Sequence, residues 1–344
     1  MGGGLPPRAL RETSKRPIGI AERPISENRA DGRLRRPSRG NTITLTFKLT
    51  LREDALATYV ISDVHGHLRA FERALEMAAP GSQDAIFVLG DMVDRGPDPL
   101  GVMTRARALP NACVLMGNHE SMLLDTVLEG DDLDMMSWHL NGGYVTSSQL
   151  DALPRDAYVD IMDWLSALPA FAVVETDDAR PSAGPGDRRV NVLCHAGVDA
   201  ERLRDSLSRR GAGPDALGGY AQATPDDLLA AMGEQDLGDL LWIREGFWSR
   251  PTGLVGADGR GPVVVAGHTP SAILGRYARQ MCGTGVDGDL RGVMVEVGPT
   301  ADTGGVADRI CIDCSAAKGH PYGRVGIMRL EDRRVWLADI EEGE

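Results

Sequence analysis

Four of the seven histidines in this chain stand just beyond short apolar runs, and that placement limits the possible folds more than any other feature. The runs Tyr59–Ser62, Ile86–Leu89, Ala112–Met116, Phe171–Val174, Val190–Cys194, Val263–Ala266, Gly292–Val297 and Ile310–Ile312 have strand length and strand composition. Leu68–Ala79 and Pro99–Ala108 read as helices between them. A strand–loop–helix order of this kind predicts an α/β fold. In such folds the loops at strand C-termini carry the site, because the strands hold them at one edge of the sheet.

Five of these strand ends carry residue types that bind cations. Asp63-Val64-His65-Gly66 follows the first run, and Gly66 permits the turn that lets Asp63 and His65 face one ion. An Asp in that position also serves as a helix N-cap. Gly90-Asp91-Met92-Val93-Asp94-Arg95-Gly96 follows the second run. The two oxygens of Asp91 allow it to bridge two cations, and Arg95 offers a planar fork that matches phosphate oxygens. Gly117-Asn118-His119-Glu120 adds a neutral amide oxygen, suited to a hard ion, and an imidazole that serves as ligand or acid. His195, in Cys194-His195-Ala196-Gly197, and His268, in Gly267-His268-Thr269, complete the series. Any one of these has an ordinary structural explanation. Four histidines, two aspartates and an asparagine at strand ends together point to a pair of divalent first-row ions, Mn with Fe or Zn as alternatives. The set is too poor in thiolate for a structural zinc site.

The rest of the chain sets the context. Residues 1–40 hold ten Lys or Arg against four acids and show no apolar period, which predicts a disordered basic tail. The folded part is expected over 41–344, beginning with an edge strand near Thr42. Residues 121–169 are helical in character and lack ligand motifs, so they read as a cap inserted between site-bearing loops. A second insert is expected over about 200–240. The net charge of −13 argues against duplex nucleic acid as the main partner, the basic tail aside. No run approaches membrane-spanning length and no apolar leader is present, which predicts a cytoplasmic protein. Five cysteines do not suggest a disulfide framework, and Cys311-x-x-Cys314 reads as two buried small residues.

The order DVHG, GDMVDRG, GNHE, CHAG and AGHT, from about Thr58 to Leu330, resembles the phosphoprotein phosphatase branch of the calcineurin-like metallophosphoesterases. The resemblance implies a β-sandwich of two mixed sheets flanked by helices, with the metals at one edge. It implies that Asp63, His65 and His268 hold one metal, that Asn118 and His195 hold the other, and that Asp91 is shared. His119 then resembles the general acid, oriented by Asp94. Arg95 resembles a phosphate clamp, as does Arg244 in Leu241-Trp242-Ile243-Arg244-Glu245, with Asn118 a further phosphate contact. Trp138-His139-Leu140-Asn141-Gly142-Gly143 resembles a segment of bacterial and phage members and implies cap architecture near the site, without assigned chemistry. Two departures stand out: Ile312-Asp313-Cys314-Ser315-Ala316 where the family often has IDTGA, and His67 after the DxHG motif.

The expected activity is hydrolysis of phosphate monoesters on phosphoserine or phosphothreonine of a protein or peptide. A hydroxide held between the metals would attack phosphorus in line. No segment presents a separate nucleophile, so no phosphoenzyme is expected. The alternative within the superfamily is hydrolysis of a dinucleoside polyphosphate or an RNA 5′ polyphosphate end. Those relatives often read GDxVARG and GNHD, and Asp94 and Glu120 here favour the protein phosphatase branch. An inactive phosphoprotein-binding scaffold is the reading from another class.

Overall fold

The strands that carry the candidate ligands are apolar without alternation, and the architecture explains why: they are covered on both faces. The structure is a computed structural model that describes residues 57–129, 132–180, 183–282 and 291–344. The predicted basic tail and the edge strand near Thr42 lie outside the described residues.

One sheet has the order β11-β10-β1-β2-β3. Its strands are β1 (Thr58–Ile61), β2 (Ala85–Val88), β3 (Ala112–Val114), β10 (Arg324–Arg329) and β11 (Val335–Asp339). β1, β2 and β3 run parallel, and β10 and β11 add antiparallel. The other sheet has the order β4-β5-β6-β9-β8-β7. It consists of β4 (Phe171–Asp177), β5 (Arg188–Cys194), β6 (Val263–Ala266), β7 (Met281–Cys282), β8 (Val295–Val297) and β9 (Arg309–Cys311). Here β5, β6 and β9 are parallel and the outer pairings are antiparallel. This is an α/β fold of two mixed sheets flanked by helices, as the resemblance implied.

Alternate residues of each central strand enter different cores, as a pleat of period two requires. Val60, Phe87, Leu193, Val263, Val265 and Ile310 fill the space between the sheets. Ile61, Ile86 and Val88 point the other way, beneath α1 (Leu68–Ala78) and α2 (Pro99–Arg107). On the far sheet Val192, Val264 and Ala266 meet Leu203 and Leu207 of the helix Ala200–Arg209 and Leu228 of the helix Pro225–Met232. Double burial makes the runs continuously apolar.

Between β3 and β4 the chain is helical. α3 (Asn118–Glu129) and α4 (Asp132–Trp138) lead into a π-turn over His139–Gly143, then α5 (Tyr144–Asp151) and α6 (Arg155–Ser166). β7, β10 and β11 were not foreseen. β10 reads RVGIMR, with arginines at both ends that mask its apolar centre. Arg324 is buried against Asp339 of β11, with 2.6 Å from its Nε to Oδ1, so its charge is answered across the hairpin.

Candidate metal centre

Strand register delivers the ligand-bearing loops to one level. Ile61 lies opposite Val88, and Val88 opposite Val114. In the other sheet Cys194 lies opposite Ala266, and Ala266 opposite Cys311. The chain must then turn sharply to aim side chains inward. Asp63, His65, Asp91, Asp94, Arg95 and His268 all have φ between 47° and 71°. That left-handed region costs a residue with a Cβ about 1–3 kcal/mol. These are six of the ten such residues among those described, so the strain is concentrated here. Backbone bonds hold it: His65 N donates to Asp91 O at 2.9 Å, and Gly66 N to Met92 O at 2.9 Å. Two glycine contacts close the site. Gly90 faces Gly117, and Gly267 lies on the Asp63 carboxylate, where a Cβ would overlap its neighbour in each case.

The side chains form two groups that meet at Asp91. In the first, His65 Nδ1 donates to Val93 O at 3.0 Å, which leaves Nε2 as a lone pair 3.6 Å from Asp91 Oδ2. In the second, His195 Nδ1 donates to Leu89 O at 2.8 Å. Its Nε2 then faces Asn118 Oδ1 at 2.8 Å and Asp91 Oδ1 at 3.4 Å. His268 Nδ1 lies 2.8 Å from the same Asn118 oxygen. Imidazole and carboxylate atoms of Asp91, His195 and His268 fall within 4.8 Å of one another, as do those of His65, Asp91 and His119.

His268 therefore stands with Asn118 and His195, not with Asp63 and His65 as the resemblance suggested. The reason is topological. His195 and His268 leave adjacent parallel strands of one sheet at the same level, and their rings are 5.2 Å apart. Asp63 and His65 leave the other sheet. Asp63 turns its carboxylate onto the backbone N–H of His268, at 3.1 and 3.0 Å, and accepts from the Ser62 hydroxyl.

The donor set fits a pair of cations. A neutral imidazole has one proton, and His195 has committed it to Leu89 O, so lone pairs of His195, Asn118 and Asp91 converge with no proton between them. Burial keeps the imidazoles neutral: it pushes His195 down to about 3 and His268 to about 2. His65 is pushed well below its ordinary value by burial, then by His119 and Arg95. Burial raises Asp91, and the neighbouring Asp63 charge adds to this. A cation relieves both effects, since it favours the ionised carboxylate and the unprotonated imidazole.

Beside this cluster, His119 Nδ1 lies 2.6 Å from Asp94 Oδ2, and His119 Nε2 faces Asp91 Oδ2 at 3.8 Å and Arg95 Nη2 at 3.4 Å. Arg95 and Arg244 are both exposed. Arg95 Nη2 lies 3.4 Å from His119 Nε2, and Arg244 Nη2 donates to His268 O at 3.4 Å, so both flank the cluster. Burial raises the Asp313 carboxyl to about 6, and both guanidinium groups lower it. Asp313 was passed over in the sequence. Its signal was the same as that of the other candidates, a polar residue two positions beyond a buried strand, here β9. It sits against Asp63, whose carboxyl burial, followed by the Asp313 charge, drives upward.

Glu120 faces away from the mouth. Its Oε2 accepts from Asp91 N at 2.8 Å and Gly117 N at 3.0 Å. Its Oε1 accepts from Met92 N at 2.8 Å and Val93 N at 3.3 Å. One fully buried carboxyl thus ties two ligand loops together. Glu120→Ala leaves four N–H groups without this acceptor. It is expected to lower unfolding stability by on the order of 4 kcal/mol. Urea unfolding measures this, and a loss below about 1 kcal/mol would contradict the clamp.

The chain belongs to the calcineurin-like phosphoesterase family, whose profile matches residues 56–291. The family is one of phosphoesterases, and it implies divalent metal ions. A symmetrical bis(5'-nucleosyl)-tetraphosphatase of Nitrosospira multiformis is 31% identical over 112 residues, 32% of this chain and 37% of the relative. That of Chromohalobacter salexigens is 30% identical over 145 residues, 42% of this chain and 45% of the relative. The chain thus spans less than half the length of these curated relatives. A solved metallophosphoesterase from Sphaerobacter thermophilus is similar at 15% identity over 84% of this chain and 89% of that one, with a TM-score of 0.38. Among the described residues no helix is long and apolar enough to cross a membrane.

Proposed function

We propose that this chain hydrolyses the polyphosphate bridge of a dinucleoside polyphosphate, with two divalent cations that share Asp91. The observation that carries the choice of substrate is the match to symmetrical bis(5'-nucleosyl)-tetraphosphatases. Geometry removes part of the contrary argument. Glu120, one of the two residues that favoured the protein phosphatase branch, is occupied by backbone N–H groups behind the ligands and reads no substrate. Two exposed guanidinium groups beside His119 and His268 also suit an anion with several phosphates.

In this proposal Asp91, Asn118, His195 and His268 would hold one cation, and His65 and Asp91 would hold the other, with Asp63 and His119 beside it. The cations, when bound, supply Lewis-acid charge to the phosphoryl oxygens and lower the pKa of the attacking water. Arg95 and Arg244 grip the phosphate oxygens and stabilise charge as the bond breaks. Asp94 keeps the Nδ1–H of His119 engaged, so that Nε2 presents its proton to the leaving oxygen. Trp138 and Thr146, from the helical stretch between β3 and β4, hydrogen-bond to Asp94 beside this acid.

A second reading, serine/threonine protein phosphatase, is favoured by the His119–Asp94 pair itself. An alkoxide is a poor leaving group and depends on a positioned acid, whereas a nucleotide leaves more readily. The test compares kcat/KM of the Mn-loaded protein on diadenosine tetraphosphate, phosphoserine and phosphotyrosine peptides, and a 5′-triphosphorylated RNA. The proposal expects diadenosine tetraphosphate to lead by about tenfold or more. A comparable lead for the phosphoserine peptide would replace it with the second reading.

A further inference from the structure

Asp94 does more than face His119; it is enclosed from the other side by two residues of the helical segment after β3. Trp138 Nε1 donates to Asp94 Oδ2 at 2.9 Å, the same oxygen that meets His119. Thr146 Oγ1 donates to Asp94 Oδ1 at 2.6 Å and accepts from Asp94 N at 3.0 Å. All three side chains are buried. The π-turn between Trp138 and Thr146 makes this possible. Gly143 lies under the indole so closely that a Cβ would overlap the ring, and Gly142 O accepts from Arg95 N at 3.1 Å. The residues lie 44 and 52 positions from Asp94, so a separate element has been folded back to reach it.

We infer that Trp138 and Thr146 are positioning residues for the His119 acid. A carboxylate with only one fixed partner is free to swing away from it. Here each Asp94 oxygen is held by a donor other than His119. That fixes the carboxylate plane, and with it the direction of the His119 ring, whose Nδ1 lies 2.6 Å from Asp94 Oδ2. The WHLNGG turn thus has a role in the acid step through its bonds to Asp94 and Arg95. The inference rests on the proposed acid role of His119.

The test uses the full chain with Mn bound and two aryl phosphates, phenyl phosphate with a poor leaving group and 2,4-dinitrophenyl phosphate with a good one. Trp138→Phe keeps the ring but removes the donor; Thr146→Val keeps the shape but removes the hydroxyl. Each is expected to lower kcat on phenyl phosphate by about 10- to 100-fold, with bound Mn and KM unchanged. On 2,4-dinitrophenyl phosphate each should cost less than about threefold. Thr146→Ser is expected to restore the phenyl phosphate rate, and neither change should add a loss in a His119→Asn background. Equal losses on both substrates, or a further loss without His119, would overturn the inference. Should His119→Asn alone lower both substrates equally, the acid role itself fails. Should His119→Asn discriminate while Thr146→Val does not, only the positioning inference fails.

Discussion

Asp91→Asn is expected to lower kcat/KM by about 10³-fold or more and to cut bound metal from two ions per chain to one or none. The substitution changes almost no volume, so packing between Gly90 and Gly117 is retained. It removes the negative charge that both groups share: Oδ2 faces His65 and Oδ1 faces His195. An amide offers one neutral oxygen, and its NH2 would turn a donor toward one of those imidazole lone pairs or its cation. Metal analysis of the purified variant, beside a rate measurement, tests this. Two bound ions with full turnover would remove Asp91 from the shared position.

His119→Asn is expected to act differently. Metal content should be preserved, because His65, Asp91, Asn118, His195 and His268 keep their mutual geometry. Rates should fall about 10²- to 10⁴-fold on substrates with poor leaving groups. They should fall far less where the leaving group departs unaided. The physical basis is the 2.6 Å contact of His119 Nδ1 with Asp94, which leaves Nε2 pointing at the mouth beside Arg95. Loss of a metal ion in this variant would instead make His119 a ligand. His119 falls within the same tight donor group as His65 and Asp91, so metal content is the measurement that separates the two roles.

The contrast between those variants reflects what the sequence makes legible. Strand ends at Ser62, Leu89, Met116, Cys194 and Ala266 could be read because double burial leaves uninterrupted apolar runs, and the polar residues after them interrupt that pattern abruptly. The grouping of the candidate ligands could not be read, because it depends on which strands are neighbours. His268 follows β6, β6 lies beside β5, and so His268 joins His195. Trp138 and Thr146 were hidden for a related reason. Their partner is 44 and 52 residues away, and a tryptophan in an amphipathic stretch ordinarily signals packing. Asp313 carried a readable signal that was overlooked because its segment departs from the family pattern. Glu120 shows the reverse error. Its motif points to a substrate class, yet its carboxyl is consumed by the loops that carry Asp91 and Asn118.

The central claim is that two cations sit together and share one carboxylate. Titration of the metal-free protein with Mn, followed by electron paramagnetic resonance, tests it most directly. The account predicts two Mn ions per chain with a spin-coupled spectrum, and loss of that coupling in Asp91→Asn. A stoichiometry of one, or two ions whose spectra remain uncoupled, would contradict it.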